Sequence, residues 1–382
     1  MVYGYYSVSS KTLFWRDLAK GGKSLFQKEK NMSEVFKLGL IGAGIGSAHA
    51  TGASKVPGIE VAAVADLNPA RAKRLVDEFG VKRAYTDYKE MLKTERLDGV
   101  AVGVPNYLHK KVVIDVLNAG VNVLCEKPMA MNARECEEMI AVAKKNRKHL
   151  IIGFMHRHRD DSKALKQIIT NGGLGEIYHA DAYALRRRGI PGLGGWFTTK
   201  NMSGGGGLID LGVHILDLTL YQMGFPEPDS VSGATYMKFG HKKDYNFVSM
   251  WGGLVKRGQF DVDDFVTAMV RFKNGATLNL EVCWAANIEK EGMYSVFMGD
   301  KGGATLENGV PLKITTEHFG KIVDIIPQFA KEDTWANQEK NFMEVCTGNA
   351  KPIAPAHQGL VVQKIIDAIY LSSQKRKEVK IT

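Results

Sequence analysis

Lys37-Leu38-Gly39-Leu40-Ile41-Gly42-Ala43-Gly44-Ile45-Gly46-Ser47 decides how this chain is read. Its first half is a short apolar run ending in glycine, as a buried parallel strand does. Glycines then recur at 42, 44 and 46, and residues 47–56 read as a helix. Glycine allows a tight turn and close approach of the backbone, and the positive end of the following helix faces whatever anion is held there.

Working outward, the same alternation continues. Residues 60–65 (EVAAVA) form the next expected strand, and 69–79 have helical spacing with Pro69 in the first turn. A short helix at 87–93, a strand at 99–104, a helix at 109–119, a strand at 121–125, a helix at 133–145 and a strand at 150–154 follow. Strands alternating with helices at this spacing form a doubly wound parallel sheet with right-handed crossovers. Residues 36–155 are therefore expected to be one dinucleotide-binding-type domain.

After residue 155 the rhythm changes. A helix at 163–170 precedes strand-like stretches at 176–185, 230–239, 264–272, 276–283 and 294–298, with a helix at about 207–223 among them. Lys273-Asn274-Gly275 is a hairpin turn. Residues 156–382 thus read as an α+β domain with an open, mainly antiparallel sheet, closed by helices near 335–347 and 357–373.

Composition narrows the class. The chain of 382 residues is 45% hydrophobic and 24% charged, ordinary for a globular protein of two domains. Much of its net charge of +10 sits in residues 1–31, where Lys11, Arg16, Lys20, Lys23, Lys28 and Lys30 face only Asp17 and Glu29. No recognition helix or zinc motif accompanies that charge, which argues against nucleic acid. Residues 1–35 read either as sequence upstream of a start at Met32 or as an arm, with Tyr3, Tyr5, Tyr6, Phe14 and Trp15 as its anchors on a partner subunit. Cys125, Cys136, Cys283 and Cys346 form no CxxC pair, so reduced thiols in a cytoplasmic protein are expected. No apolar run of about 18 residues and no secretory leader is evident, so no membrane partner is expected.

Asp66 ends the second strand, 22 residues past Gly44. An acid there binds the adenosine ribose hydroxyls of a dinucleotide and repels a 2′-phosphate. The expected cofactor is NAD. Arg71 lies within reach and keeps NADP open.

Val104-Pro105-Asn106-Tyr107-Leu108-His109, Cys125-Glu126-Lys127-Pro128, and Gly204-Gly205-Gly206-Gly207-Leu208-Ile209-Asp210-Leu211-Gly212-Val213-His214 together resemble the Gfo/Idh/MocA family, the glucose–fructose oxidoreductase and inositol dehydrogenase group. The resemblance runs from about residue 36 to the C-terminus. It implies an NAD(P)-dependent oxidoreductase acting on a sugar, glycoside or polyol, and a homodimer or homotetramer joined through the C-terminal sheet. It also implies cofactor contacts from Gly42, Gly44, Ile45, Gly46, Asp66, Arg71, Pro105, Asn106, Glu126, Lys127 and Arg157, with His109 either supporting the nicotinamide side or simply opening its helix. Val104 stands where the family often has Thr or Ser, and the glycine loop is a residue shorter than its commonest form.

Hydride transfer from an alcohol needs a base for the hydroxyl proton and a donor for the forming alkoxide. Lys127, after a strand at the carboxyl edge of the sheet, fits the donor, and His214 fits the base. Asp210, four residues before His214 on the expected helix, is placed to orient its imidazole or to bind a substrate hydroxyl. Arg157, Trp196, Lys127, Asp210 and His214 are the expected substrate contacts, Trp196 within a glycine-rich loop over the site. A metal site at Asp210 and His214, with His156 and His158, lacks further ligands at typical spacing, so no metal is expected. Two rival readings stand beside the dehydrogenase: a lyase or glycosidase that oxidises its sugar only transiently, and a non-catalytic dinucleotide sensor.

Overall fold

A computed structural model describes residues 35–246, 252–255 and 258–382. The two readings of the N-terminal segment lie outside the described residues. The first six strands are β1 (Phe36–Ile41), β2 (Ile59–Ala65), β3 (Arg83–Tyr85), β4 (Gly99–Val102), β5 (Asn122–Cys125) and β6 (Leu150–Ile152). They form one all-parallel sheet in the order β3-β2-β1-β4-β5-β6. Between them run α1 (Ala43–Ala53), α2 (Pro69–Phe79), α3 (Tyr88–Thr94), α4 (His109–Asn118) and α5 (Ala133–Asn146). This is the doubly wound order whose ligand crevice lies at the carboxyl ends of β1 and β4, where the order reverses.

Local chemistry explains the boundaries. Asn68 caps α2 by accepting from Ala70 N at 3.0 Å, Pro69 opens the helix, and Gly80 ends it in the left-handed region. Gly42 has φ +96°, and a Cβ there would stand 2.3 Å from Gly103 O. Only glycine fits that turn between β1 and β4. The helix begins at Ala43 instead of residue 47, because the glycine loop itself forms the first turn.

The second sheet takes β7 (Ile177–Leu185), β8 (Pro228–Tyr236), β9 (Phe265–Phe272), β10 (Thr277–Cys283), β11 (Gly292–Gly299), β12 (Gly302–Glu307), β13 (Lys313–His318), β14 (Lys321–Ile325) and β15 (Val379–Lys380). Their order is β14-β13-β12-β11-β7-β10-β9-β8-β15. Every pairing is antiparallel except β7 with β10. The β9–β10 hairpin turns at Lys273-Asn274-Gly275 as its sequence demands. Strands β3 and β12 to β15 lie outside the stretches expected from the sequence: they are short, edge-lying or half exposed, so the apolar alternation that marks a strand is weak.

The helices here are α6 (Asp160–Thr170), α7 (Lys200–Ser203), α8 (Val213–Met223), α9 (Thr334–Cys346) and α10 (Ala356–Lys375). The last two return to the parallel sheet: α9 packs on α1, and α10 lies between α5 and β8. One apolar core therefore runs from Leu38, Leu40 and Leu124 through Ile365 and Ile369 to Val231 and Val270. That shared core holds the two sheets in fixed register around the crevice.

Candidate active site

A cleft of about 1270 Å³ opens at the carboxyl ends of β1, β2, β4 and β5. One drug-sized ligand fills roughly 300–1,000 Å³, so this cleft has room for two ligands side by side. Gly42, Gly44, Ile45, Asp66 and Arg71 line one half. Around Gly44 the space that a Cβ would take is empty to 4 Å, and α1 begins beside it. The Asp66 carboxylate is held by Ala43 N at 2.7 Å and Asn68 N at 2.8 Å, which fixes it beside the loop. These residues fit a dinucleotide's pyrophosphate and adenosine ribose. Gly46 does not line the cleft. It is buried against Leu40 and Leu75, so its part is helix–strand packing and not ligand contact.

Pro105, Asn106, His109, Glu126 and Lys127 line the other half. The Asn106 side chain donates to Ser203 O at 2.7 Å and so ties the β4 turn to α7. The buried ring of His109 has Nδ1 2.7 Å from Pro128 O and Nε2 2.8 Å from Val104 O. It packs between the two turns, and burial pushes its pKa down, so its single N–H serves one of the two carbonyls. Lys127, in a cis Lys127–Pro128 bond, donates Nζ to Asp210 Oδ1 at 3.2 Å and Asp210 O at 3.1 Å. The other Asp210 oxygen accepts from Trp284 Nε1 at 3.0 Å.

Asp210 thus serves Lys127, not His214. The expected alignment of the two fails because residues Leu208–Gly212 form a π-helical turn before α8 begins. The wider turn carries position i+4 off the line of position i. The glycine run ahead of it is a packing requirement: a Cβ at Gly206 would sit 1.9 Å from Asp263 O. Asp263 accepts from Gly206 N, Leu208 N and the Tyr370 hydroxyl, and so fixes the start of the turn.

His214 lines the cleft with its Nδ1 buried and without a hydrogen-bond partner among the described residues. Its ring stands edge-on to His156, 5.0 Å between centroids. Burial, then the charge of Lys127, holds its pKa well below the usual histidine value. It is a neutral imidazole able to accept a proton.

Arg157 is not at the cleft, which corrects its expected contact with cofactor and substrate. It is fully buried and grips both Asp217 oxygens, Gln358 Oε1 and Ile353 O. A fully buried arginine must be paired, and Asp217 answers that need. Trp196 lines the cleft, its ring 3.7 Å from that of Phe197. Arg186, which opens the glycine-rich loop 186–196 read as covering the site, also lines the cleft, without having been singled out as a contact. Sequence reasoning missed Met155 and Trp335 on the cleft wall and Trp284 behind Asp210, for which no local signal existed. Among the described residues no group of His, Cys, Asp or Glu is arranged to hold a metal ion, and no helix is long and apolar enough to cross a membrane.

A family model described as an oxidoreductase family with an NAD-binding Rossmann fold matches residues 36–154. A second, for the GFO/IDH/MocA C-terminal domain, matches residues 162–305. The D-glucoside 3-dehydrogenase of Escherichia coli K12 is 34% identical over 358 residues, spanning 93% of this chain and all of its own. The inositol 2-dehydrogenase of Salmonella typhimurium is 36% identical over 146 residues, 37% of this chain and 44% of its own. The structure of a levoglucosan dehydrogenase in complex with NADH superposes with a TM-score of 0.78 at 22% identity, over 91% of this chain and 99% of that one, and shares the fold.

Proposed function

The chain belongs to the Gfo/Idh/MocA family of NAD-binding oxidoreductases, and from that premise we propose that it is a dehydrogenase or reductase of a sugar, glycoside or polyol. One observation carries the reading: Lys127 and Asp210 meet across the two sheets, 3.2 Å apart, in a cleft with His214 and a dinucleotide-type loop on its walls. Gly42, Gly44, Ile45 and Asp66 would hold the cofactor's adenosine half, and Pro105, Asn106 and Glu126 its other end. Nicotinamide supplies the hydride acceptor when bound. Lys127 donates from Nζ to the substrate oxygen and stabilises the alkoxide as charge develops. Asp210 aims that ammonium, and Trp284 aims Asp210. The His214 imidazole takes the hydroxyl proton. Trp196 presents an apolar ring face suited to the C–H face of a sugar, and Arg186 adds donors beside it.

Asp66 with both oxygens fixed favours NAD over NADP, because a 2′-phosphate would meet its charge. The reading includes a cytoplasmic homodimer or homotetramer joined through the outer face of the nine-stranded sheet, where Tyr183 stacks on Tyr294 at 4.7 Å.

The test is purified protein with NAD or NADP and a panel of glucosides, pyranoses and inositols, followed at the NADH absorbance. Substrate-dependent NADH is the expected result. Cleaved sugar without net NADH would replace the reading by a transient-oxidation lyase. Cofactor binding with no turnover on any substrate would replace it by a sensor.

A further inference from the structure

His49, Glu126 and Glu339 come from three distant parts of the chain and meet behind the cleft wall. His49 on α1 is fully buried, with Nδ1 2.7 Å from Glu339 Oε1 and Nε2 3.3 Å from Glu126 Oε1. Glu339 on α9 is fully buried too, while Glu126 lines the cleft. Two glycines make the room. A Cβ at Gly153 would lie 2.7 Å from Glu126 Oε1, and one at Gly52 would lie 2.7 Å from the Trp335 carbonyl carbon. So α1 and α9 approach at backbone distance, with the Trp335 ring edge-on to His49.

A neutral imidazole has one N–H and can serve only one of two carboxylates. Hydrogen-bonded to Glu339 and at ion-pair distance from Glu126, to which Nε2 makes no aligned hydrogen bond, His49 suits the doubly protonated form. Burial opposes that charge, yet the carboxylates, Glu339 foremost, push its pKa up to about 10. One cation between two carboxylates leaves one negative charge in excess. Lys127, next to Glu126 in the chain, does not cancel it, because its ammonium is paired with Asp210.

In this strand order a dinucleotide lies across the switch between β1 and β4. The glycine loop and Asp66 take the adenosine half on the β1–β2 side. The β4–β5 side, where Glu126 stands, is left for the ring. A nicotinamide ring is cationic when oxidised and neutral when reduced. We propose that the His49–Glu126–Glu339 cluster is a buried anionic device that favours binding of the oxidised over the reduced cofactor, so that the chain loads the oxidised form from a mixed pool and releases the reduced form more readily. His49 and Glu339 are positioning residues that act through Glu126. The inference rests on the nicotinamide-cofactor reading above.

The experiment measures Kd for NAD+ and for NADH by calorimetry on the full chain at pH 6, below the ordinary histidine pKa of about 6.5. A unit charge about 10 Å away in an effective dielectric near 20 is worth roughly tenfold in relative affinity. Glu339→Gln, remote from the cleft surface, should lower the ratio of the NADH Kd to the NAD+ Kd by about that factor. Glu339→Asp, which keeps the charge, should leave the ratio within about twofold of the wild type. A purely structural role would weaken both forms alike in both variants. Should Glu339→Gln not fold, Glu126→Gln carries the same expected shift. An unchanged ratio with both forms bound overturns this proposal alone. Failure of the wild type to bind either form overturns the cofactor reading and this proposal with it.

Discussion

Asp210 grips Lys127, 83 residues away in the chain, while no hydrogen bond joins it to His214 four residues along its own helix. The carboxylate therefore works on the cation proposed to meet the substrate oxygen and not on the proposed base. Lys127→Ala should lower turnover by about 10²–10³ and change NAD affinity by no more than about threefold, since the donor acts on developing charge. Asp210→Asn should show a smaller loss, larger in kcat than in KM. Steady-state kinetics beside calorimetry decide this, and equal losses in turnover and cofactor affinity would count against the assignment.

The pH–rate profile should place the base. His214 is held well below its ordinary value by burial and then by Lys127, so it stays neutral across the physiological range. The acid limb of kcat/KM should fall below pH 6.5 and disappear in His214→Asn, together with a loss of about 10²–10⁴. A limb centred above pH 6.5 that persists in the variant would remove His214 from the role.

Stability should decline on the alkaline side for a reason that can be isolated. The His49 pKa is raised in the fold to about 10, from an ordinary 6.5. Its contribution is then fully present below pH 6.5 and is lost as pH rises toward 10, at no more than about 1.4 kcal/mol per pH unit. His158 runs the other way: burial, then Arg157, pushes it down to about 3, so stability falls as pH drops from 6.5 toward 3. Melting curves of His49→Gln should be flatter between pH 6.5 and 10, and those of His158→Gln flatter below 6.5.

Arg157 should prove to be a structural residue. Arg157→Leu leaves the buried Asp217 carboxylate without its partner and should cost about 3–5 kcal/mol in urea denaturation, with cofactor affinity of the folded fraction unchanged. Replacing Asp217 by Leu as well should recover most of the loss. A large selective drop in NAD affinity would return Arg157 to the cofactor site.

Cofactor choice should turn on Asp66. With both oxygens held by Ala43 N and Asn68 N, it presents a fixed charge near Arg71. Asp66→Ser should raise the NADP to NAD ratio of kcat/KM by about tenfold or more. No shift in that ratio would assign the preference elsewhere.

Much of this was legible in the chain itself, for local reasons. A glycine at 42 is demanded by one dihedral angle and one close carbonyl, and Asn68, Pro69 and Gly80 mark α2 by chemistry within a single turn. Buried strands such as β4 and β6 announce themselves by unbroken apolar runs. β14 at the sheet edge and its neighbour β13 do not, because most of their side chains face water.

By itself the sequence determined the parallel sheet, the phosphate-type loop, and Lys127, Asp210 and His214 as the polar groups of interest. The sheet and the loop follow from periodicity and from the backbone freedom of glycine, which depend on neighbours in the chain; the three polar groups are named by their chemistry together with the family resemblance of the motifs that hold them. Only the tertiary structure decided who partners whom. The π turn hands Asp210 to Lys127, Asp217 claims Arg157, and Glu339 reaches His49 across 290 residues. Such pairings are chosen by burial: an ionised group removed from water must find whatever opposite charge the packing brings within reach, and sequence distance has no part in that selection.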